Sequence, residues 1–81
     1  MIIKVTQEHI DNGVKFNCSK CPIALAMTEK FPNCAVGLFG YWVDATDLTM
    51  DYKLLPVNAN KFIEMFDSGK KVEPFEFEIN E

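Results

Sequence analysis

A short cysteine turn followed at once by an apolar helix is the feature that most constrains the fold of this chain. Cys18 and Cys21 have CxxC spacing, and Pro22 follows directly. Proline is favoured at the first position of a helix, where the N–H that it lacks would have no partner. The next five residues are all apolar, and we expect a helix over residues 22–31 that ends before the following proline. Because this helix is apolar around most of its circumference, it should be buried in the core.

The segment ahead of the cysteines predicts a strand and a short helix. Residues 2–5 form a β-type run. Thr6 is a suitable N-cap for a helical turn over residues 7–10, and Asn12-Gly13 ends that turn.

The middle of the chain has the composition of β structure. Residues 35–39, 41–44 and 48–55 are rich in aromatic and aliphatic side chains. Gly40 stands between the first two segments, where we expect a turn or a bulge. Two or three antiparallel strands fit this region.

The last third predicts one amphipathic helix and one strand. Asn58 can cap the helix, and Gly69 is a left-handed terminator for it. Residues 75–79 alternate strictly between apolar residues and glutamate, which predicts a half-buried strand with an acidic outer face. We therefore expect one α+β domain over residues 1–81, with three helices packed on one side of a mainly antiparallel sheet of about four strands.

Composition and charge exclude several classes of protein. Hydrophobic residues make up 48% of the chain and charged residues 25%, which is typical of a folded domain rather than a disordered one. No apolar run is long enough to cross a bilayer, and no signal-peptide core is present, so we expect an intracellular protein that does not bind membranes. The net charge is −4 and arginine is absent, which argues against direct binding of nucleic acid.

Several motifs together resemble a family of short phage and bacterial proteins that has no assigned activity. They are VTQEHI over residues 5–10, CPIALA over residues 21–26, FP at residues 31–32 and PFEF over residues 74–77. The resemblance implies where the protein acts, but it implies no activity. It implies a small accessory protein, encoded by a phage, that acts in the cytoplasm of a bacterial host.

The cysteines allow a metal site as one hypothesis. Structural zinc takes four Cys or His ligands in a closed tetrahedral site. The chain offers Cys18, Cys21, Cys34 and His9 for this purpose, so all four would have to converge. With three cysteines, an odd number, a disulfide scaffold is not expected.

Thiol exchange and simple packing are the other two hypotheses for the CxxC. A helix N-terminus lowers the pKa of a nearby thiol, and Lys20 adds positive charge beside Cys18. A thioredoxin-like site, however, follows directly after a strand, whereas about a dozen residues separate the first strand from Cys18. Small, partly buried thiols that only pack remain the third alternative.

An aromatic and acidic surface is the hypothesis for binding. Tyr41 and Trp42 are of the types that anchor protein interfaces. Residues 44–81 carry nine acids against four lysines, so negative charge is concentrated in this half of the chain. The acidic residues that we assign to the surface are Asp44, Asp47, Asp51, Glu76 and Glu78.

These observations favour binding over catalysis. A single histidine and no arginine leave few catalytic groups, and no phosphate loop or Ser-His-Asp ordering is present. We expect a protein without a cofactor that binds and occludes a host protein with a basic surface. The alternatives are an activity that depends on zinc or on the thiols of Cys18 and Cys21, and a structural homo-oligomer.

Overall fold

Three helices and five short strands make up the described part of the chain. The computed structural model describes residues 1–46 and 52–79. The elements in chain order are β1 (Ile2–Val5), α1 (Gln7–Asn12), α2 (Pro22–Thr28), β2 (Ala35–Val36), β3 (Gly40–Trp42), β4 (Lys53–Leu54), α3 (Val57–Asp67) and β5 (Phe75–Glu78).

The strands form two antiparallel sheets. β1 pairs with β5 in one sheet, and β2, β3 and β4 form the other in that order. The predicted α+β class is confirmed, but the strands lie in two sheets of two and three strands rather than in one sheet of about four. The reason is connectivity: β2 to β4 pair with their neighbours in sequence, whereas β1 pairs with the last strand. The packing of all three helices on one side stays a prediction.

The alternation predicted for the last strand is confirmed. Phe77 is buried opposite Ile3, and Phe75 is half-buried opposite Val5. The glutamates between and after them are exposed. One face of the β1–β5 pair therefore belongs to the core.

Helix α2 is buried as its sequence predicts, but it is shorter than expected. Ile23, Ala24 and Met27 are completely inaccessible to solvent. The regular helix ends at Thr28, and the N–H of Phe31 still donates to the Met27 carbonyl over 2.8 Å. The residue before a proline is disfavoured in the helical region, which explains why the chain leaves the helix before residue 32.

The ends of α1 and α3 agree with the sequence in part. Thr6 is the N-cap of α1, as predicted. Asn58 is not the cap of α3: the helix begins one residue earlier, at Val57, with Pro56 as its N-cap. Gly69 has a φ of 79°, the left-handed conformation predicted for a helix terminator. None of the helices among the described residues is long and apolar enough to cross a membrane.

Gly40 lies inside β3 instead of in a turn, so its predicted role as a turn or bulge is wrong. It pairs with Leu54, and the turn between β2 and β3 is closed by the Gly37 N–H, which donates to the Gly40 carbonyl over 2.7 Å. A Cβ at residue 40 would lie 2.6 Å from Cζ of Tyr52 and still closer to the Lys53 carbonyl oxygen. Glycine is needed at this position because the Tyr52 ring and the β4 backbone occupy the space of a side chain.

We predict that Gly40→Ala disrupts the pairing of β3 with β4. The forced contact should lower the free energy of unfolding by about 1–3 kcal/mol, the usual cost of overpacking. Gly37→Ala is the matched control, because a Cβ there meets only ordinary contacts at 3.4 Å and 3.6 Å. Urea unfolding followed by circular dichroism measures both variants, and equal stabilities would contradict this account of Gly40.

Candidate functional site

The three cysteines do not form one ligand set. The Cys21 thiol accepts a hydrogen bond from the Ala24 N–H at 3.4 Å, and the Cys34 thiol donates to the Ala24 carbonyl at 3.9 Å. Both side chains are buried, whereas Cys18 is exposed, and all three thiols are free. The Cys21 and Cys34 thiols therefore both form hydrogen bonds with the backbone of α2.

His9 is occupied by helix capping and by an acid. Its Nδ1 accepts a hydrogen bond from the Thr6 backbone N–H at 2.9 Å, which leaves Nε2 to donate to the Glu29 carboxylate. The Thr6 hydroxyl in turn accepts from the His9 N–H, which completes a capping box. The buried ring thus joins the start of α1 to the end of α2.

The zinc hypothesis requires Cys18, Cys21, Cys34 and His9 to converge, and among the described residues these side chains do not form one group of ligands. Within residues 1–46 and 52–79, no group of three or more histidine, cysteine or acidic side chains has an arrangement that could hold a metal. Each of three candidate ligands already has another partner: the Cys21 and Cys34 thiols bind the Ala24 backbone, and His9 binds the Glu29 carboxylate.

The buried thiols are also poor candidates for a thiolate. Burial raises the pKa of Cys21, and it outweighs the opposing effect of the backbone hydrogen bonds at the start of α2. Burial, and then the proximity of Cys21, raises the pKa of Cys34 to about 11. The lowering that we expected from the helix N-terminus is therefore overcome by desolvation at Cys21.

The two predicted aromatic anchors point in opposite directions. Tyr41 is only 2% exposed and lies opposite Val36, which is also buried. Trp42 is 37% exposed. Successive residues of a strand face opposite sides of the sheet, so only one of these rings can be on the outer face. The expectation that Tyr41 is an exposed anchor is wrong, because its ring belongs to the core.

The outer face of the three-stranded sheet carries an aromatic pair. The Trp42 and Tyr52 rings lie with their centroids 4.4 Å apart and their planes tilted by 54°. The Tyr52 ring also lies against Gly40, whose partner in β4 is Leu54. The Leu54 side chain is 77% exposed. Three large side chains thus share this face and leave apolar area in contact with water.

A second set of exposed apolar residues adjoins this face. Leu38 and Phe39 form the turn between β2 and β3, and Phe39 is 62% exposed. Phe16 is 81% exposed, and with Leu38 it lines a 170 Å³ cavity that is also lined by Cys18 and Cys21. The Tyr52 hydroxyl lies near the same turn, 3.4 Å from the position of a Cβ on Gly37. We call the combined area the turn surface; it consists of Phe16, Leu38, Phe39, Trp42, Tyr52 and Leu54.

Phe16 has a backbone conformation that is unusual for its type. Its φ is 57°, and no other non-glycine residue among those described has a positive φ. The conformation is held by its N–H, which donates to the Asp67 carboxylate at 3.1 Å, and by the neighbouring Asn17, whose side chain accepts from the N–H groups of Ser19 and Lys20. Phe16 lies between Asn12-Gly13 and Asn17, and these turn-forming residues are a sequence signal for an exposed loop. The predicted site residues did not include Phe16.

The predicted acidic residues are arranged unevenly. Asp44 accepts hydrogen bonds from both the N–H and the hydroxyl of Thr46, at 2.9 Å and 2.5 Å. Glu76 lies directly opposite Lys4 on the outer face of the β1–β5 pair, so its charge is partly offset. Glu78 lines a 490 Å³ cavity together with Leu54, which brings it to the margin of the turn surface. Asp47 and Asp51 lie outside the described residues.

Comparisons with known proteins found no relative of this chain. No family model matches the chain, and no curated protein or solved structure is significantly similar to it. The resemblance to phage and bacterial proteins remains a prediction from the four motifs.

We predict that one thiol reacts much faster than the other two. Cys18 is exposed, whereas Cys21 and Cys34 are buried with raised pKa values, so at pH 8 they have little thiolate and little access to reagent. Titration with Ellman's reagent should show one fast thiol per chain, and Cys18→Ser should remove that phase. Three equally fast thiols in the folded protein would contradict the burial described here.

We also predict a loss of stability at alkaline pH that depends on Cys34. Its pKa rises from an ordinary 9.0 to about 11 on folding, so between these values the unfolded chain releases the proton while the folded chain keeps it. The melting temperature should therefore fall as pH rises from 9 to 11. Below pH 9, the contribution of Cys34 to stability should not depend on pH. The fall should be smaller in Cys34→Ser. Parallel curves for the two proteins would show that Cys34 does not contribute.

Proposed function

We propose that this protein acts by binding another protein through the turn surface. The observation that carries the proposal is the set of exposed large apolar side chains near one turn, which includes the Trp42–Tyr52 pair. Tyrosine and tryptophan are frequent anchors of interfaces because they bury much area and lose little conformational freedom. Contiguous exposed apolar area is uncommon on soluble proteins unless it is used for recognition.

The strained conformation of Phe16 supports this proposal. The left-handed region costs a residue with a Cβ about 1–2 kcal/mol. Because Phe16 is 81% exposed, burial of its ring in this chain does not offset that cost. Strained residues concentrate at binding and active sites. A partner that covers the ring would supply the compensating contact.

The charges at the margin suggest the chemistry of the partner. Glu78 shares a cavity with Leu54, and Asp44 follows Trp42 by two residues. Acidic side chains at the rim of an apolar centre favour a partner with a basic surface and raise the rate of association. The resemblance to phage proteins adds the proposal that this partner is a bacterial host protein and that binding occludes it.

The alternatives have less support. A thiol-dependent activity would rely on Cys18 alone as an accessible group, because Cys21 is buried with a raised pKa. Self-association through the turn surface is a form of the same binding proposal, and the oligomeric state distinguishes it from binding to a different protein.

The binding test compares two double variants. Phe16→Asn/Leu54→Ser removes the two most exposed side chains of the turn surface, and Ile2→Ser/Val57→Ser removes exposed apolar residues elsewhere as a matched control. Lysate from a bacterial host is passed over each immobilised protein, and bound proteins are quantified by mass spectrometry. We expect only the first variant to capture at least ten times less of a specific partner than the unchanged protein does. This corresponds to a loss of about 1.4 kcal/mol or more of binding free energy. Equal capture by both variants would show that the interface lies elsewhere.

We predict that Phe16→Asn makes the protein more stable while it weakens binding. Asparagine adopts the left-handed conformation more readily than phenylalanine, and the exposed ring contributes little to the fold. The free energy of unfolding should rise by about 0.5–1 kcal/mol, measured by urea unfolding. A lower stability would mean that the Phe16 ring has a role in packing, and the proposal for a strained binding residue would fail.

A further inference from the structure

We propose that a second, separate groove on this protein binds an acidic peptide segment that has apolar residues among its carboxylates. Two clefts of 500 Å³ and 510 Å³ flank the connection between α3 and β5. They share Lys71, Val72 and Glu73, so the two clefts adjoin at the connection, and we treat them together as one groove. The groove shares no residue with the turn surface.

The lining of this groove has the opposite charge to the rest of the chain. The whole protein has eight lysines, no arginine and a net charge of −4. Four of the eight lysines line the groove, and Glu73 is the one acidic residue among the described residues that line it. We call it the lysine groove; its cations are Lys15, Lys61, Lys70 and Lys71.

None of these lysines has an ion-pair partner among residues 1–46 and 52–79. In the part of the chain that the structure describes, no carboxylate oxygen lies within 4.0 Å of any of the four ammonium groups. The end of α3 also does not need them as hydrogen-bond donors, because the N–H groups of Gly69 and Lys70 already donate to the carbonyls of Phe66 and Met65 at 3.1 Å and 3.0 Å. The positive charge therefore remains available to a ligand.

The floor of the groove favours a peptide over a free anion. Ile10, Phe66 and Val72 are half-buried at its base, and Phe62 and Phe75 stack there with centroids 4.6 Å apart. An inorganic anion makes no use of such apolar area, whereas aliphatic side chains of a peptide bury it. Each cleft has the volume typical of a ligand pocket. Lysine ammonium groups beside an apolar floor therefore complement a segment that alternates carboxylates with aliphatic residues.

Binding is measured on the full chain by fluorescence anisotropy of a fluorescein-labelled peptide of sequence EELEELEE. We expect saturable binding that weakens severalfold between about 50 mM and 200 mM salt, because exposed charges are screened. The peptide QQLQQLQQ lacks the carboxylates and EEAEEAEE lacks the leucines, so they separate the contributions of charge and of apolar contact. Each should bind at least about tenfold more weakly than EELEELEE.

Charge variants identify the groove. Lys70→Glu/Lys71→Glu should weaken binding by at least about tenfold, whereas Lys20→Glu/Lys30→Glu changes the net charge equally and should have less than about a twofold effect. All four residues are exposed, and thermal unfolding by circular dichroism verifies that both variants are folded. Phe16→Asn should leave peptide binding unchanged, so the groove and the turn surface are tested independently.

Several outcomes would overturn the proposal. An equal loss in both charge variants would reveal a general charge effect, and no saturation up to about 1 mM peptide would exclude a site of useful affinity. A single-stranded oligonucleotide could bind more tightly than the peptide and lose this binding in Lys70→Glu/Lys71→Glu. That result would assign the groove to nucleic acid. Full competition by inorganic phosphate together with equal binding of EEAEEAEE would assign it to a simple anion.

Discussion

The burial of α2 is the constraint on which the rest of this structure depends. Helix α2 contacts β1 of one sheet, β2 of the other, and α1. Its completely buried residues, Ile23, Ala24 and Met27, belong to one core cluster that includes side chains from both sheets. Neither sheet is large enough to be stable alone, because two or three short strands need a packed face. The two cysteines that bind the Ala24 backbone are part of this arrangement, which is why they are better described as core groups than as a reactive site.

Local signals in the sequence were enough to identify most elements of the fold. The Thr6 cap, the proline at the start of α2, the left-handed Gly69 and the alternation over residues 75–79 each act within a few residues, and each is present in the structure. The division of the strands into two sheets could not be predicted in this way. Which strands pair depends on contacts between distant segments, and the repeating pattern of a single strand does not contain that information.

The candidate site was less predictable than the fold because it depends on which way single side chains face. A strand of three residues with adjacent aromatic residues gives no signal that Tyr41 is inside and Trp42 outside. The positive φ of Phe16 and the approach of the Tyr52 ring to Gly40 are likewise tertiary features. The clustering of positive charge could not be predicted from the sequence either. The chain is acidic as a whole, yet half of its lysines meet in one groove through residues that are up to 56 positions apart in sequence.

The pairing of β1 with β5 has a consequence for the order of folding. The register joins Ile3 to Phe77 and Val5 to Phe75, and the backbones of Met1 and Ile79 exchange two hydrogen bonds of 2.9 Å. The three-stranded sheet needs only neighbouring segments, whereas this pair must close nearly the whole length of the chain, at a larger cost in loop entropy. During synthesis β1 lacks its strand partner until residues 75–78 have left the ribosome. The core around α2 is therefore completed last, and a truncated chain that lacks β5 would leave the edge of β1 that normally pairs with β5 open to other chains.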